Sequence, residues 1–260
     1  MNRILTVVRG HKNEAMATAS RFIAACVEAG MQAGPDVADA EVIVAIGGDG
    51  TVLGAAAQAI ERSLPVCGIN VGRVGYLAEF EPSEISELVT ALRTDSFSFD
   101  ERATVGVTVG ETTSYAVNDI VVEKVMSQRI IEIAVRINGE PLATYRADGI
   151  IAATPLGSTA YSLSAGGPIV SPELNALVLT PVAPHSLLSR SIVLAPDAEV
   201  ELTLKGERPG SINVDGRHVM QVAPGTPIHI KRGQPNVQFL SLGQHPFPQA
   251  VREQFGLDHA

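Results

Sequence analysis

Cysteine is scarce in this chain, with Cys26 and Cys67 the two thiols among 260 residues. Cys26 falls at a helix-core spacing and Cys67 in a run that reads as a strand, so buried reduced thiols are expected rather than a disulfide or a metal pair. The six histidines are scattered, and none has metal-ligand spacing. Positive charge is also short. With 19 Lys and Arg against 28 Asp and Glu, the formal charge is -9, which argues against general affinity for nucleic acid or an anionic membrane and leaves room for a local basic pocket. No basic segment followed by an apolar one opens the sequence, and no apolar run is long enough to cross a bilayer, so a soluble cytoplasmic protein is expected. There is no internal repeat or low-complexity stretch. What the chain does have is apolar material, 45% of its residues, enough for a sizeable core in one large or two moderate domains.

The most informative stretch is Glu41 to Ala57, EVIVAIGGDGTVLGAAA. Val42 to Ile46 form a short continuous apolar run that begins with β-branched residues, the pattern of a strand buried on both faces of a parallel sheet. The run stops at Gly47-Gly48-Asp49-Gly50-Thr51. Glycines allow close backbone approach to a ligand, and Thr51 is placed to cap a helix running from Val52 to Arg62. Outward amides at such a turn suit a phosphate. Asp49 would be repelled by that phosphate unless a metal ion or a proton transfer engages it; otherwise it is a turn residue or an N-cap among glycines. The run is neither a G-x-G-x-x-G fingerprint nor a P-loop. It resembles the phosphate loop shared by NAD kinases, the diacylglycerol and sphingosine lipid kinases, and the phosphofructokinases.

Around this loop the first third alternates strand and helix. Ile4 to Val8 reads as a strand, and Asn13 to Ala29 as a helix with Met16, Ala19, Phe22, Ile23, Cys26 and Val27 on one face, closed by Gly30. Pro65 to Ile69 is a further strand and Pro82 to Leu92 an amphipathic helix. Strands separated by helices imply parallel pairing with the ligand crevice at their carboxyl ends. The segment Gly68 to Tyr76 leaves such an end, and Tyr76 is either packed on the following helix or stacked near a nucleotide or nicotinamide ring.

From about Phe97 the texture changes to short strands: Val105 to Val109, Tyr115 to Val122, and Ile130 to Ile137, which joins Leu142 to Tyr145 through an Asn138-Gly139 hairpin turn. Further strands are expected at Ile150 to Thr154, Ile192 to Leu194, Val200 to Leu204, Ser211 to Val214, Thr226 to Ile230 and Val237 to Leu240. The fold class is therefore an α/β N-terminal domain, a parallel sheet with flanking helices, plus a β-rich C-terminal domain. Boundaries are expected at 1–97 for the first and 98–243 for the second, with the tail 244–260 docking back on the first. After Ile150 to Thr154, hydroxyls and amides gather without charge in PLGSTAYSLSAGGPIV. Such a loop either reads base and ribose edges or caps a helix at Ser158 or Thr159.

GGDGT at 47–51, Asn118-Asp119, DGIIAATPLGSTAYSLSAGGPIV from 148 to 170, and Pro184-His185-Ser186 occur together in the order found in bacterial NAD kinases, and from about Val42 to Asp215 the chain resembles that family. The resemblance implies a diacylglycerol-kinase/NAD-kinase-like fold with the dinucleotide between its two domains. It makes Asp49 the general base for the 2′-hydroxyl of the adenosine ribose of NAD, with the terminal phosphoryl group of ATP or polyphosphate as the group transferred. Gly47, Gly48, Gly50 and Thr51 would hold donor phosphates bridged by Mg²⁺, with no protein ligand assigned to the metal. The implied NAD-binding set comprises Asp49, Gly50, Tyr76, Asn118, Asp119, Arg129, Arg146 and Asp148, then Leu156, Thr159, Ala160, Tyr161, Ser162, Leu163, Ser164 and Ala183. Asp119 stands where many members have Glu, and Leu156 where they commonly have Thr. Arg129 and Arg146 either meet ligand phosphates or are solvated strand residues. Asp215-Gly216-Arg217 reads as an ordinary β-turn, with a polar turn reaching a neighbouring subunit's site as the other reading.

A homodimer or homotetramer is implied as well, with neither nucleic acid nor membrane as a partner. Two other functions fit GGDGT alone. A lipid kinase would need an acyl channel and has no use for the TP-x-GSTAYS run. A non-catalytic dinucleotide-binding regulator would have no use for an intact Asp49.

Overall fold

The computed structural model describes residues 1–8, 13–71, 77–126, 129–185, 187–243 and 247–257. They form two compact units, 1–101 with 237–260, and 102–236. The sequence divisions at 97/98 and 243/244 differ from these by a few residues because strands run through both boundaries.

The first unit is built on β1 (Arg3–Val8), α1 (Asn13–Glu28), β2 (Gln32–Gly34), β3 (Val42–Gly47), α2 (Asp49–Arg62), β4 (Val66–Asn70) and α3 (Ile85–Thr94). The four strands lie in the order β2-β1-β3-β4 and are all parallel. Every residue of β3 is buried, as its unbroken apolar sequence requires. Val42, Val44 and Ile46 share a core with Phe22 and Cys26 of α1 and with Leu88 and Leu92 of α3. The face that α1 buries is Ala15, Thr18, Ala19, Phe22 and Cys26. Met16 and Val27, expected on that face, are 52% and 62% exposed, so the stripe is narrower than the apolar pattern suggested. Both thiols are buried, and burial pushes each well above the ordinary range, to about 12 for Cys26.

The second unit is β-rich. Its elements begin with β5 (Ser98–Val109), β6 (Thr112–Ala116), β7 (Asp119–Lys124), β8 (Ile131–Ile137), β9 (Glu140–Ala147) and β10 (Gly149–Ala153), and continue through the short helix α4 (Tyr161–Ser164). They end with β11 (Leu177–Val182), β12 (Ile192–Leu194), β13 (Val200–Lys205), β14 (Gly210–Val214), β15 (Arg217–Val222) and β16 (Pro227–Ser241). A six-stranded sheet has the order β12-β11-β10-β7-β14-β15, every pair antiparallel. Strand β13 pairs β8 on one side and the first half of β16 on the other, while β8 and β9 form the hairpin expected at Asn138-Gly139. Alternate residues of both layers meet in one core, among them Ile120, Val122, Ile133, Tyr145, Ile150, Leu202 and Ile212.

Three sequence expectations change here. Tyr115 to Val122 is not one strand, because it breaks at Val117-Asn118 between β6 and β7. Strands β11 and β15 had no expected counterpart. Thr226 to Ile230 and Val237 to Leu240 are the two ends of the single strand β16, whose last part returns to the first unit, where Phe239 pairs with Val66. The tail carries α5 (Phe247–Phe255).

Candidate active site

In the first unit, strand order reverses between β1 and β3, because β1 leads to β2 on one side and β3 leads to β4 on the other. Ligands of open α/β sheets collect at such a switch point, outside the carboxyl ends of the strands. GGDGT lies there. Gly47 ends β3 at φ +155°, and a Cβ on it would lie 2.4 Å from the Thr51 hydroxyl, so only glycine fits. The helix starts earlier than expected. Gly48 is the N-cap, without a side-chain cap, and Asp49 is already the first residue of α2, whereas Thr51 is buried within the first turn instead of capping it. The positive end of the α2 dipole therefore opens beside the loop and favours bound anions. Asp49 sits at the same end, and its Oδ1 accepts the Leu77 N–H at 3.2 Å. That bond ties the acid to a residue 28 positions further along the chain. Tyr76 lies outside the described residues.

In the second unit, the break between β6 and β7 is the centre of a hydrogen-bonded cluster. The Asp215 carboxylate accepts the backbone N–H groups of Val117 at 2.9 Å, Asn118 at 2.8 Å and Asp119 at 3.2 Å. Asp215 and Gly216 are the two-residue turn of the β14–β15 hairpin, with φ of 47° and 72°, so the β-turn reading was right about conformation. It missed the carboxylate, which reaches into its own chain. Opposite, the Asn118 carbonyl accepts Thr154 N–H at 2.9 Å and the Thr154 hydroxyl donates to Val117 O at 2.7 Å. A Cβ on Gly157 would lie 2.0 Å from the Asn118 oxygen, so the loop that follows β10 packs flush against this dipeptide.

Asp119 is buried, and its carboxylate accepts the backbone N–H of Tyr161 at the start of α4. Burial, then the nearby Asp215, push its carboxyl up to about 7. Burial also raises Asp215, with the three amides pulling the other way. Tyr161 is 42% exposed, and its hydroxyl is raised by burial and by Glu123, Asp148 and Asp119 around it. Asp148 is paired with Lys124 at 2.6 Å, and Glu123 accepts from Asn213 at 2.6 Å; neither Lys124 nor Asn213 stood out in the sequence.

Not every residue of the expected set offers its side chain to a ligand. Ser162 is fully buried, and its hydroxyl is bonded to Thr180 at 2.8 Å, which in turn donates to Ser191 at 3.0 Å. Ser158 closes on Val170, and Thr159 donates to Leu156 O at 3.2 Å; neither caps a helix. These hydroxyls build the loop that presents Ala160, Tyr161, Leu163 and Ser164. Leu156 is half-buried at the head of that loop. Arg146 is 61% exposed on β9 and pairs with Glu132 at 3.5 Å, and Arg129 is exposed beyond β7. Ala183 is exposed at φ 44°, just after β11. Among the described residues no group of three or more His, Cys, Asp or Glu could hold a metal ion.

Residues 6–97 match the family model of the ATP-NAD kinase N-terminal domain, and residues 117–242 that of the ATP-NAD kinase C-terminal domain. NAD kinase 2 of Streptomyces avermitilis is 35% identical over 89% of this chain and 79% of its own length. The NAD kinase of Desulforamulus reducens is 37% identical over 92% and 87%. Among solved structures, yeast NADH kinase complexed with NADH superposes with a TM-score of 0.88 over 100% of this chain and 89% of that one; at 22% identity it speaks for the fold. An NAD kinase from Archaeoglobus fulgidus in complex with ATP gives a TM-score of 0.81 at 26% identity over 98% and 97%. This chain belongs to the NAD kinase family.

Proposed function

We propose that the chain transfers the terminal phosphoryl group of ATP to the 2′-hydroxyl of the adenosine ribose of NAD, forming NADP. The observation that carries this reading is Asp49, a carboxylate held by Leu77 N–H on the first turn of α2, directly after the glycine turn of a fully buried strand. The N-terminus of α2 and the Gly47-Gly48 turn receive donor phosphates, and Asp49 takes the proton of the attacking hydroxyl. A divalent cation, Mg²⁺, fits a site that offers one carboxylate beside a phosphate cradle, since that ion is commonly bound by one or two carboxylates together with substrate phosphates. When bound it would neutralise charge on the transferred group. Asn118, the Asp119 segment, Asp148 and the 159–164 loop hold the dinucleotide, with Tyr161 supplying the exposed aromatic face. The Archaeoglobus relative's complex with ATP supports that donor. Membership of the family and an intact Asp49 set aside both the lipid kinase and the regulator.

The test is one assay that crosses ATP and polyphosphate with NAD and NADH, read by NADP(H) formation, for wild type and Asp49→Asn. Wild type is expected to form NADP from ATP and NAD. The variant should still bind NAD and lose turnover by about 10²–10⁴-fold, the usual worth of general-base catalysis. A variant within tenfold of wild type would remove Asp49 from the mechanism.

A further inference from the structure

The β6–β7 break is held from two sides by groups that no ligand needs to supply. On one side, one carboxylate takes three successive backbone N–H groups, those of Val117, Asn118 and Asp119. The link is reciprocal, because Asp215 N–H donates to Asp119 O at 3.0 Å. On the other side Thr154 takes the carbonyl ends, through its N–H to Asn118 O and its hydroxyl to Val117 O. The same hydroxyl oxygen accepts Gly157 N–H at 3.0 Å, which ties this clamp to the loop leading into α4. The Asn118 peptide thus has both its N–H and its carbonyl fixed, and three consecutive amides converging on one acid form a nest that a neutral side chain would not satisfy.

A strand that simply continued from β6 into β7 would satisfy these amides in a ladder, and no carboxylate would be required. The chain instead breaks at the dipeptide that carries Asn118, and the break is supported by an acid on a turn 97 residues away in sequence. We propose that Asp215 is a positioning residue for NAD binding: its carboxylate fixes the Val117 to Asp119 backbone so that Asn118 and the Tyr161 end of α4 are presented to the dinucleotide in one geometry. Asp215 acts through this backbone and touches no reacting atom. The inference rests on the NAD kinase reading, and it predicts a defect confined to the acceptor. Donor phosphates bind at the α2 N-terminus, which shares no residue with this clamp.

The decisive variant is Asp215→Asn, which keeps the shape and replaces an acceptor oxygen by an NH₂ that faces N–H donors. The expected result is a KM for NAD raised tenfold or more, a KM for ATP within twofold of wild type, and faster hydrogen exchange at the Val117, Asn118 and Asp119 amides. Protection at Ile120 to Val122, which pair with β10 and β14, should persist. If Asp215→Asn does not fold, Thr154→Val cuts the opposite side of the clamp and should give the same selective rise. Unchanged NAD KM in a folded variant, or an equal rise for both substrates, overturns the proposal. A wild type that forms no NADP would refute the kinase reading instead; the exchange data would still decide the clamp, since unchanged amide protection in Asp215→Asn overturns it under any substrate.

Discussion

At the residue scale, Asp119 shows how one buried acid couples the site to pH. Its carboxyl rises from 3.8 to about 7, chiefly by burial and then by Asp215. Between those values the folded chain holds a proton that the unfolded chain has released, so this group's contribution to stability is complete below about pH 4 and is lost as pH rises through about 7. Asp119→Asn removes the titration while keeping an oxygen for Tyr161 N–H. The variant is therefore expected to show a flatter dependence of unfolding free energy on pH, and to be more stable than wild type at about pH 8. Urea denaturation at about pH 5 and about pH 8 measures this, and parallel pH slopes for the two proteins would contradict it. Asp119 was found in the sequence through its neighbour Asn118 and through family order. Asp215 stands in the sequence as part of an ordinary β-turn, with a neighbouring subunit's site as the other reading, because an Asp-Gly pair after a strand is explained as a turn; only the fold shows that its carboxylate reaches three amides from the break between β6 and β7.

At the element scale, α4 has four residues, too few to stand as an isolated helix, so its position depends on what anchors it. Asp119 holds its first N–H, and from the other side the hydroxyl chain Ser162–Thr180–Ser191 ties it to β11. Replacing Thr180 by Val keeps the volume but strands the buried Ser162 hydroxyl and removes the donor to half-buried Ser191, which costs about 1–3 kcal/mol. Thr180→Val should therefore lower the unfolding free energy by that amount in chemical denaturation and loosen α4. A stability equal to wild type would mean the hydroxyls find other partners. The same chain explains what was legible at this scale. Period and turn chemistry located β3, the Asn138-Gly139 hairpin and the change of texture after residue 97, because each depends on local sequence. The loop 154–164 was recognised as hydroxyl-rich, but which hydroxyls turn inward is set by β11, a strand with no expected counterpart. The family resemblance puts Ser162 in the NAD-binding set, and its hydroxyl is bonded to Thr180 of β11. Likewise Thr226 to Ile230 and Val237 to Leu240 read as two strands, whereas the fold joins them in one strand that also pairs with β5.

At the scale of the whole molecule, the β-rich unit ends its six-stranded sheet on two strands with no further strand paired beyond them among the described residues. Among the described residues, strand β12 pairs with β11 alone and β15 with β14 alone, so each forms an edge of the six-stranded sheet. On those strands Val193 and Val219 have 54% and 38% of their surfaces exposed. Open strands with apolar neighbours invite pairing, and a symmetric second copy covers them without creating new edges. A formal charge of -9 does not prevent this, because the repulsion is spread over the surface and screened beyond about 8 Å at physiological salt. We expect a homodimer or homotetramer in which these edges meet. Light scattering at micromolar concentration should give a mass of at least twice the 27.3 kDa of one chain. Val219→Lys, a charge on the β15 edge, should shift that mass downward while leaving the monomer folded. A wild-type mass near that of one chain, with full activity, would show that the open edges are tolerated and that the site is complete within a single subunit.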